Sequence, residues 1–183
     1  MNLITNFIAV CFLAAPGSFS LCETKSINHK VTAEDQYFVA FFGEKQNAGS
    51  PVGHAFIGIG KGTPMTCNLD GSETEMVGFY PAKRTEGGKS YWYGPVDGKV
   101  KSDVRTQTDL YVFKKISFAD YIKVQLKIKE WNKRKYELTR QDCISFFSDI
   151  AGLFGDITLP ERGEYTLPET YVARFILINK ILR

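Results

Sequence analysis

Apolar residues fall in short extended runs through the first two thirds of the chain and at helical spacing after that. The run at 37–42 (Tyr37, Phe38, Val39, Ala40, Phe41, Phe42) is β-favouring and apolar on both faces, which predicts a central strand. A Gly/Asn/Ser/Pro loop at 43–53 leads into a second strand at 54–60, after which Gly62, Thr63 and Pro64 turn the chain. A third strand is expected at about 74–80 and ends at Pro81. Residues 82–102 are dominated by Gly and charge, with Tyr91, Trp92 and Tyr93 interposed, and read as a long irregular loop. Residues 109–114 read as a fourth strand. From Ser117 the period changes: Phe118, Tyr121, Ile122, Val124, Leu126 and Ile128 predict a helix to about Trp131, with Ser117 as its N-cap and Asp120 in its first turn. A second helix is expected from Arg140 or Gln141 to Leu153, capped by Thr139 or Asp142, with Gly155 just past its end. Residues 171–182 are apolar with β-branched members and fit either a last strand or a terminal helix. Strands first and helices afterwards predict an α+β fold rather than a parallel α/β one.

The apolar stretch at 7–15 differs from the others. A short polar segment precedes it, Pro16 and Gly17 break it, and small residues follow at Ser18 and Ser20. This order predicts a secretory signal at 1–20, with cleavage after Ser20 or after Cys22, and a single domain at 21–183. The apolar core is about half of the ~20 residues that a transmembrane helix requires, so no stable transmembrane anchor is expected. No Lys or Arg precedes the run, and the α-amino group supplies the positive end. The expected location is secreted or periplasmic.

Composition narrows the class. The chain is 44% apolar and 14% aromatic, which suits one packed domain and excludes a disordered or fibrous chain. A net charge of +3, evenly spread, predicts no nucleic-acid partner. The densest basic stretch, 127–140, alternates with apolar residues and reads as a solvated helix face, or else as a contact with an anionic wall or membrane. Nothing in the spacing of the cysteines suggests a metal, and no cofactor is expected. Oligomeric state is left open.

The cysteines raise the chemical question. With Cys11 removed by export, Cys67, Cys143 and perhaps Cys22 are left, too few for a disulfide scaffold. Such cysteines are either paired or kept for use. Cys67 falls in the turn between the second and third strands, where Cys22 is a plausible disulfide partner; a bridge to Cys143 would abolish thiol chemistry. Cys143 sits in the first turn of the second helix, where unpaired N–H groups and the helix dipole stabilise a thiolate. The same N–H groups, that of Asp142 included, can hold an oxyanion. There are two histidines: His29 lies in the polar entry segment, and His54 starts the second strand after a Gly-rich loop. A strand-start imidazole facing the helix would complete a Cys–His pair. The alternative is an inert Cys143 packed with Phe146 and Phe147 and a His54 that merely closes a loop.

The ordered blocks Gly53-His54-Ala55-Phe56-Ile57-Gly58, Gly78-Phe79-Tyr80-Pro81, Tyr136-x-Leu138 and Asp142-Cys143-x-x-Phe146 resemble the papain-like NlpC superfamily. They are similar to its circularly permuted branch, in which histidine precedes cysteine, as in lecithin:retinol acyltransferase and several exported bacterial hydrolases. The resemblance spans roughly residues 36–160 and implies a small antiparallel sheet packed against helices. It implies Cys143 as nucleophile and His54 as base, and an upstream tyrosine, Tyr136, as oxyanion donor. The family's third residue, which orients the imidazole, lies on the strand after the histidine. That strand holds no His, Asn or Gln here; Tyr80 is the nearest polar candidate, and Glu75 lies further along. The expected function is an exported thiol hydrolase, an amidase, peptidase or esterase acting on cell-wall peptide or lipid acyl groups. An acyltransferase shares its first half-reaction, and a non-catalytic binding module on the same scaffold is the other alternative.

Overall fold

A computed structural model of the chain describes residues 37–46, 50–61, 73–103, 110–163 and 166–181, together with the backbone pairing of two N-terminal strands. Those strands, β1 (Thr5–Cys11) and β2 (Cys22–Asn28), form an antiparallel ribbon of their own. The expected break and cleavage point at 16–20, His29 and Cys67 lie outside the described residues.

The body of the molecule is a six-stranded antiparallel sheet with helices. Its strands are β3 (Tyr37–Glu44), β4 (His54–Lys61), β5 (Glu73–Pro81), β6 (Val96–Ser102), β7 (Leu110–Ile116) and the short β8 (Lys135–Tyr136), in spatial order β7-β3-β4-β5-β6-β8. The α+β expectation therefore holds. Four helices follow or interrupt the strands: α1 (Gly87–Tyr93), α2 (Phe118–Trp131), α3 (Cys143–Ala151) and α4 (Pro168–Ile181).

Central strand β3 is buried on both faces, as its unbroken apolar run requires. Val39 and Phe41 point to one side with Ile57, Val112 and the helices; Phe38, Ala40 and Phe42 point to the other with Phe56, Tyr111 and Phe113. On the helical side Phe41 meets Phe147 of α3 and Phe175 of α4, and Phe79 meets Trp131 of α2. Ser117 caps α2 as expected, its hydroxyl accepting from the Asp120 N–H at 3.1 Å. The helix packs through Val124 and Trp131 with Tyr121 and Ile128 partly covered, while Phe118, Ile122 and Leu126 stay exposed.

One expectation needs correction, and one open alternative is settled. Residues 82–102 are not an irregular loop: a 3₁₀ turn (Arg84–Glu86), α1 and the whole of β6 lie there. β6 was hidden because its burial alternates between partial and exposed, so that only Val96 and Val100 are apolar among Asp, Gly, Lys and Ser. The ambiguous C-terminal stretch is a helix, α4, in which Tyr171, Val172, Phe175 and Ile176 recur at helical spacing on the core side.

Candidate active site

The site forms where the start of β4 meets the start of α3. Ser50 and Gly53 bend the chain just before β4: the Gly53 N–H donates to the Ser50 carbonyl at 3.0 Å, and the Ser50 hydroxyl donates to the Gly53 carbonyl at 2.9 Å. Gly53 has φ +75°, and a Cβ there would lie 2.6 Å from the Glu44 carbonyl oxygen, so only glycine fits the bend. The turn delivers His54, which is buried.

His54 stacks on Tyr80, its neighbour across the sheet, with ring centroids 4.3 Å apart. Between them is Gly78, where a Cβ would come within 2.3 Å of His54 Nε2. The bare backbone of Gly78 is what lets the imidazole lie flat over β5 and reach the residue beyond it. That residue is Asp103, one position past β6 and buried, whose N–H donates to the Met76 carbonyl at 2.8 Å. Asp103 Oδ2 lies 3.3 Å from His54 Nε2, a charge contact whose N–H direction is off the ideal hydrogen-bond line, and also accepts the hydroxyl of Tyr80. His54 and Cys143 line the same cleft, and a charge on Cys143 acts on the imidazole.

Cys143 is a free, buried thiol at the first position of α3. Asp142 is the N-cap: its Oδ1 accepts from the N–H groups of Ile144 at 3.0 Å and Ser145 at 3.2 Å. The cap consumes the second and third N–H groups of the helix and leaves that of Cys143 outside it. Asp142 Oδ2 accepts from Arg162 at 2.6 Å and from the Thr139 N–H at 3.0 Å. This second contact holds Thr139 at φ 74°, a left-handed conformation that a β-branched residue rarely adopts, in the turn that leads from β8 to the cysteine. The Asp142 carboxylate is thus fully occupied in shaping the helix start.

Electrostatics follow from this geometry. Burial alone would lower the pKa of His54, but the charge of a Cys143 thiolate and the bonds to Asp103 and Cys143 outweigh it and raise the value to about 9. Burial and the Asp103 carboxylate push Tyr80 far up, so its hydroxyl stays a neutral donor. Burial, then Cys143 and Asp142, likewise keep Tyr136 protonated. A cleft of about 650 Å³ opens over these groups, lined by His54, Tyr80, Tyr136 and Cys143 with Pro51 and Val52 on one lip and Gly87 and Gly88 of α1 on the other.

The sequence-derived candidates divide cleanly. Cys143, His54, Tyr80 and Tyr136 come together around the cleft, with Asp142 directly behind it. Glu75 does not join them: it pairs with Ile59 well along β5 and is exposed. Asp103 was missed, because orientation comes from the far end of β6, one strand beyond the hairpin. The signal that would have found it is the antiparallel register, Val77 with Ser102, which sets position 103 beside Met76 and close to Gly78. Among the described residues no group of three or more His, Cys, Asp or Glu side chains is arranged to hold a metal ion, and no helix is long and apolar enough to cross a membrane. Comparison of the chain with protein-family models, curated proteins and solved structures finds no match, so the site's chemistry rests on its own residues.

Proposed function

We propose that the protein is an exported thiol hydrolase with a permuted papain-like arrangement, acting on an amide or ester carbonyl of cell-wall peptide or of a lipid acyl group. The observation that carries the reading is the Cys143–His54–Asp103 line, buried at the floor of an open cleft. In the first half-reaction His54 takes the proton of the Cys143 thiol, Cys143 Sγ bonds to the carbonyl carbon, and the carbonyl oxygen takes up the negative charge. The Cys143 N–H and the Tyr136 hydroxyl face that charge. The intermediate collapses to a thioester as the C–N or C–O bond breaks, and the imidazolium of His54 gives its proton to the leaving nitrogen or oxygen. In the second half-reaction His54 takes a proton from water, the resulting hydroxide adds to the thioester, and the thiolate leaves with the acid. Asp103 touches neither substrate nor sulfur; it is a positioning residue that holds the imidazole in one orientation and favours its charged form.

Two measurements test this. Iodoacetamide at pH 6 alkylates Cys143 faster than it alkylates free cysteine, and a p-nitrophenyl acyl ester leaves an acyl adduct on Cys143, seen by mass spectrometry, that His54→Ala fails to form. Alkylation as slow as that of an ordinary buried thiol would sink the proposal.

A further inference from the structure

Helix α1 presents three consecutive aromatic residues to solvent beside the cleft. Tyr91 is 42% exposed, Trp92 76% and Tyr93 87%, the last two being the most exposed large apolar side chains among the described residues. The helix is firmly seated. Buried Ser90 donates to the Gly87 carbonyl at 2.7 Å and accepts the Leu138 N–H at 3.2 Å, which ties α1 to the segment leading to Cys143. Gly87 and Gly88 of the same helix line the cleft, yet none of the three rings does. The rings therefore lie outside the cleft, on the helix whose first turn lines it. Tyr91 and Trp92 meet edge to face at 89°, so they form a wedge rather than the flat platform on which a sugar ring stacks.

Charge defines what such a wedge meets. Lys89 lies three residues before Trp92 and shares its helix face. From 83 to 101 there are five cations (Lys83, Arg84, Lys89, Lys99, Lys101) and two carboxylates (Glu86, Asp97), a net of +3. Both carboxylates already face a lysine, Glu86 with Lys83 at 3.7 Å and Asp97 with Lys135 at 2.6 Å. Trp and Tyr settle at the level of lipid headgroups, where an apolar ring and a polar tip are both satisfied, and lysines beside them are drawn to anionic lipid. Val52, which lines the cleft, is also exposed and adds an apolar side chain at the mouth.

We propose that the Tyr91–Trp92–Tyr93 wedge, with Lys89, docks the mouth of the cleft on an anionic phospholipid surface. This docking stands whether or not Cys143 turns over a substrate, so it fails or survives independently of the hydrolase reading.

The chain carries its own probe, since it has two tryptophans and Trp131 is buried. The full chain is mixed with vesicles of phosphatidylcholine and phosphatidylglycerol in equal parts, with vesicles of phosphatidylcholine alone, and with insoluble peptidoglycan. The expected result is co-sedimentation with the anionic vesicles, a blue shift of Trp92 emission and protection of Trp92 from iodide. Trp92→Ala with Tyr93→Ala weakens vesicle partition about tenfold or more, and Lys89→Gln weakens it by a smaller factor that high salt removes. All three side chains are exposed, so unchanged circular dichroism and melting show that the variants fold, and Cys143→Ser binds as the parent does. Vesicle binding retained in the aromatic double variant overturns the proposal, because another part of the chain then makes the contact. So does absence of vesicle binding, or capture by peptidoglycan alone, which would make the wedge a wall-binding surface.

Discussion

The two wings of the sheet are built on different rules. In β3, β4 and the first four residues of β7 most side chains are buried, on both faces of the sheet, with Phe, Ile and Val prominent. In β6 burial alternates between partial and exposed, and the strand is held by backbone pairing, by Lys101, whose ammonium donates to the Pro81 and Ala82 carbonyls, and by the Asn132 side chain, which accepts from the Val100 N–H. The groups of the candidate site sit on the border. His54 comes from the apolar wing, Asp103 from the polar one, and Tyr80 from the strand between them. A buried wing fixes positions, and the Asp103 carboxylate, itself buried, offsets its desolvation through the Tyr80 hydroxyl and the charge contact to His54. The largest expected effect is at the point both wings serve: Cys143→Ala lowers hydrolysis about a thousandfold or more, while the melting temperature stays near the parent's. A variant with substantial residual turnover would place the nucleophile elsewhere.

The wings themselves should respond unequally to truncation. Phe41→Ala removes a ring that contacts Phe147 and Phe175 at about 5 Å between centroids, and costs about 3–5 kcal/mol of unfolding free energy in denaturant titration. Lys99→Ala on exposed β6 stays within about 0.5 kcal/mol. Equal losses would erase the distinction between scaffold wing and site wing.

Asp142 joins the two at the helix start. Asp142→Ala removes the cap of α3 and the clamp on Thr139, and leaves Arg162, itself largely buried, without its carboxylate. A loss of about 3 kcal/mol is expected. Asp142→Asn restores the cap and recovers part of it, and a full recovery would show that the Arg162 pair contributes little.

This asymmetry also governs what the sequence could reveal. β3 and β4 were legible because a strand buried on both faces must be an unbroken apolar run, and α3 because Asp142, Phe146 and Phe147 announce a cap and a core face. β6 and α1 left no such trace: Gly, Lys and Asp at half-exposed positions look like a loop, and α1 is a short helix whose only fully buried side chain is Ser90. Cys143 and His54 were singled out by type and position, a thiol at a helix start and an imidazole at a strand start, a pairing that gains weight only from the resemblance of the blocks around them. Asp103 was invisible because a carboxylate just past an unrecognised strand has no partner until the register of β5 and β6 is known. Gly78 was legible as part of a block, but its purpose, to clear 2.3 Å of space for Nε2, exists only in three dimensions.

Asp103→Asn tests the polar wing's contribution. His54 is raised from 6.5 to about 9, so the imidazolium that donates to the leaving group persists up to about pH 9. Its contribution to stability is complete below the unfolded value near 6.5 and is lost as pH rises through about 9. Removing the carboxylate takes away the raising influences of Asp103 and leaves those of Cys143 alone against burial, which lowers the pKa. The alkaline limb of the pH–rate profile therefore moves down, and kcat/KM falls about a hundredfold. A profile unchanged in position would mean that Asp103 is structural only.

Tyr80→Phe is the smallest and most discriminating change. It keeps the ring stacked on His54 at 4.3 Å and removes only the hydroxyl that Asp103 accepts. The cost in stability is about 1 kcal/mol, that of one hydrogen bond to a charged group offset by relaxation around it. The effect on His54 has the opposite sign to that of Asp103→Asn. A carboxylate that has lost a donor concentrates its charge on the remaining contact, so the pKa of His54 rises above about 9 rather than falling. The imidazole C2–H resonance followed through a pH titration reads this directly. Rate should drop less than tenfold, because the imidazolium is retained and only its orientation loosens. If instead Tyr80→Phe lowers the His54 pKa and costs as much rate as Asp103→Asn, Tyr80 acts on the imidazole itself and Asp103 is the residue that merely holds Tyr80 in place.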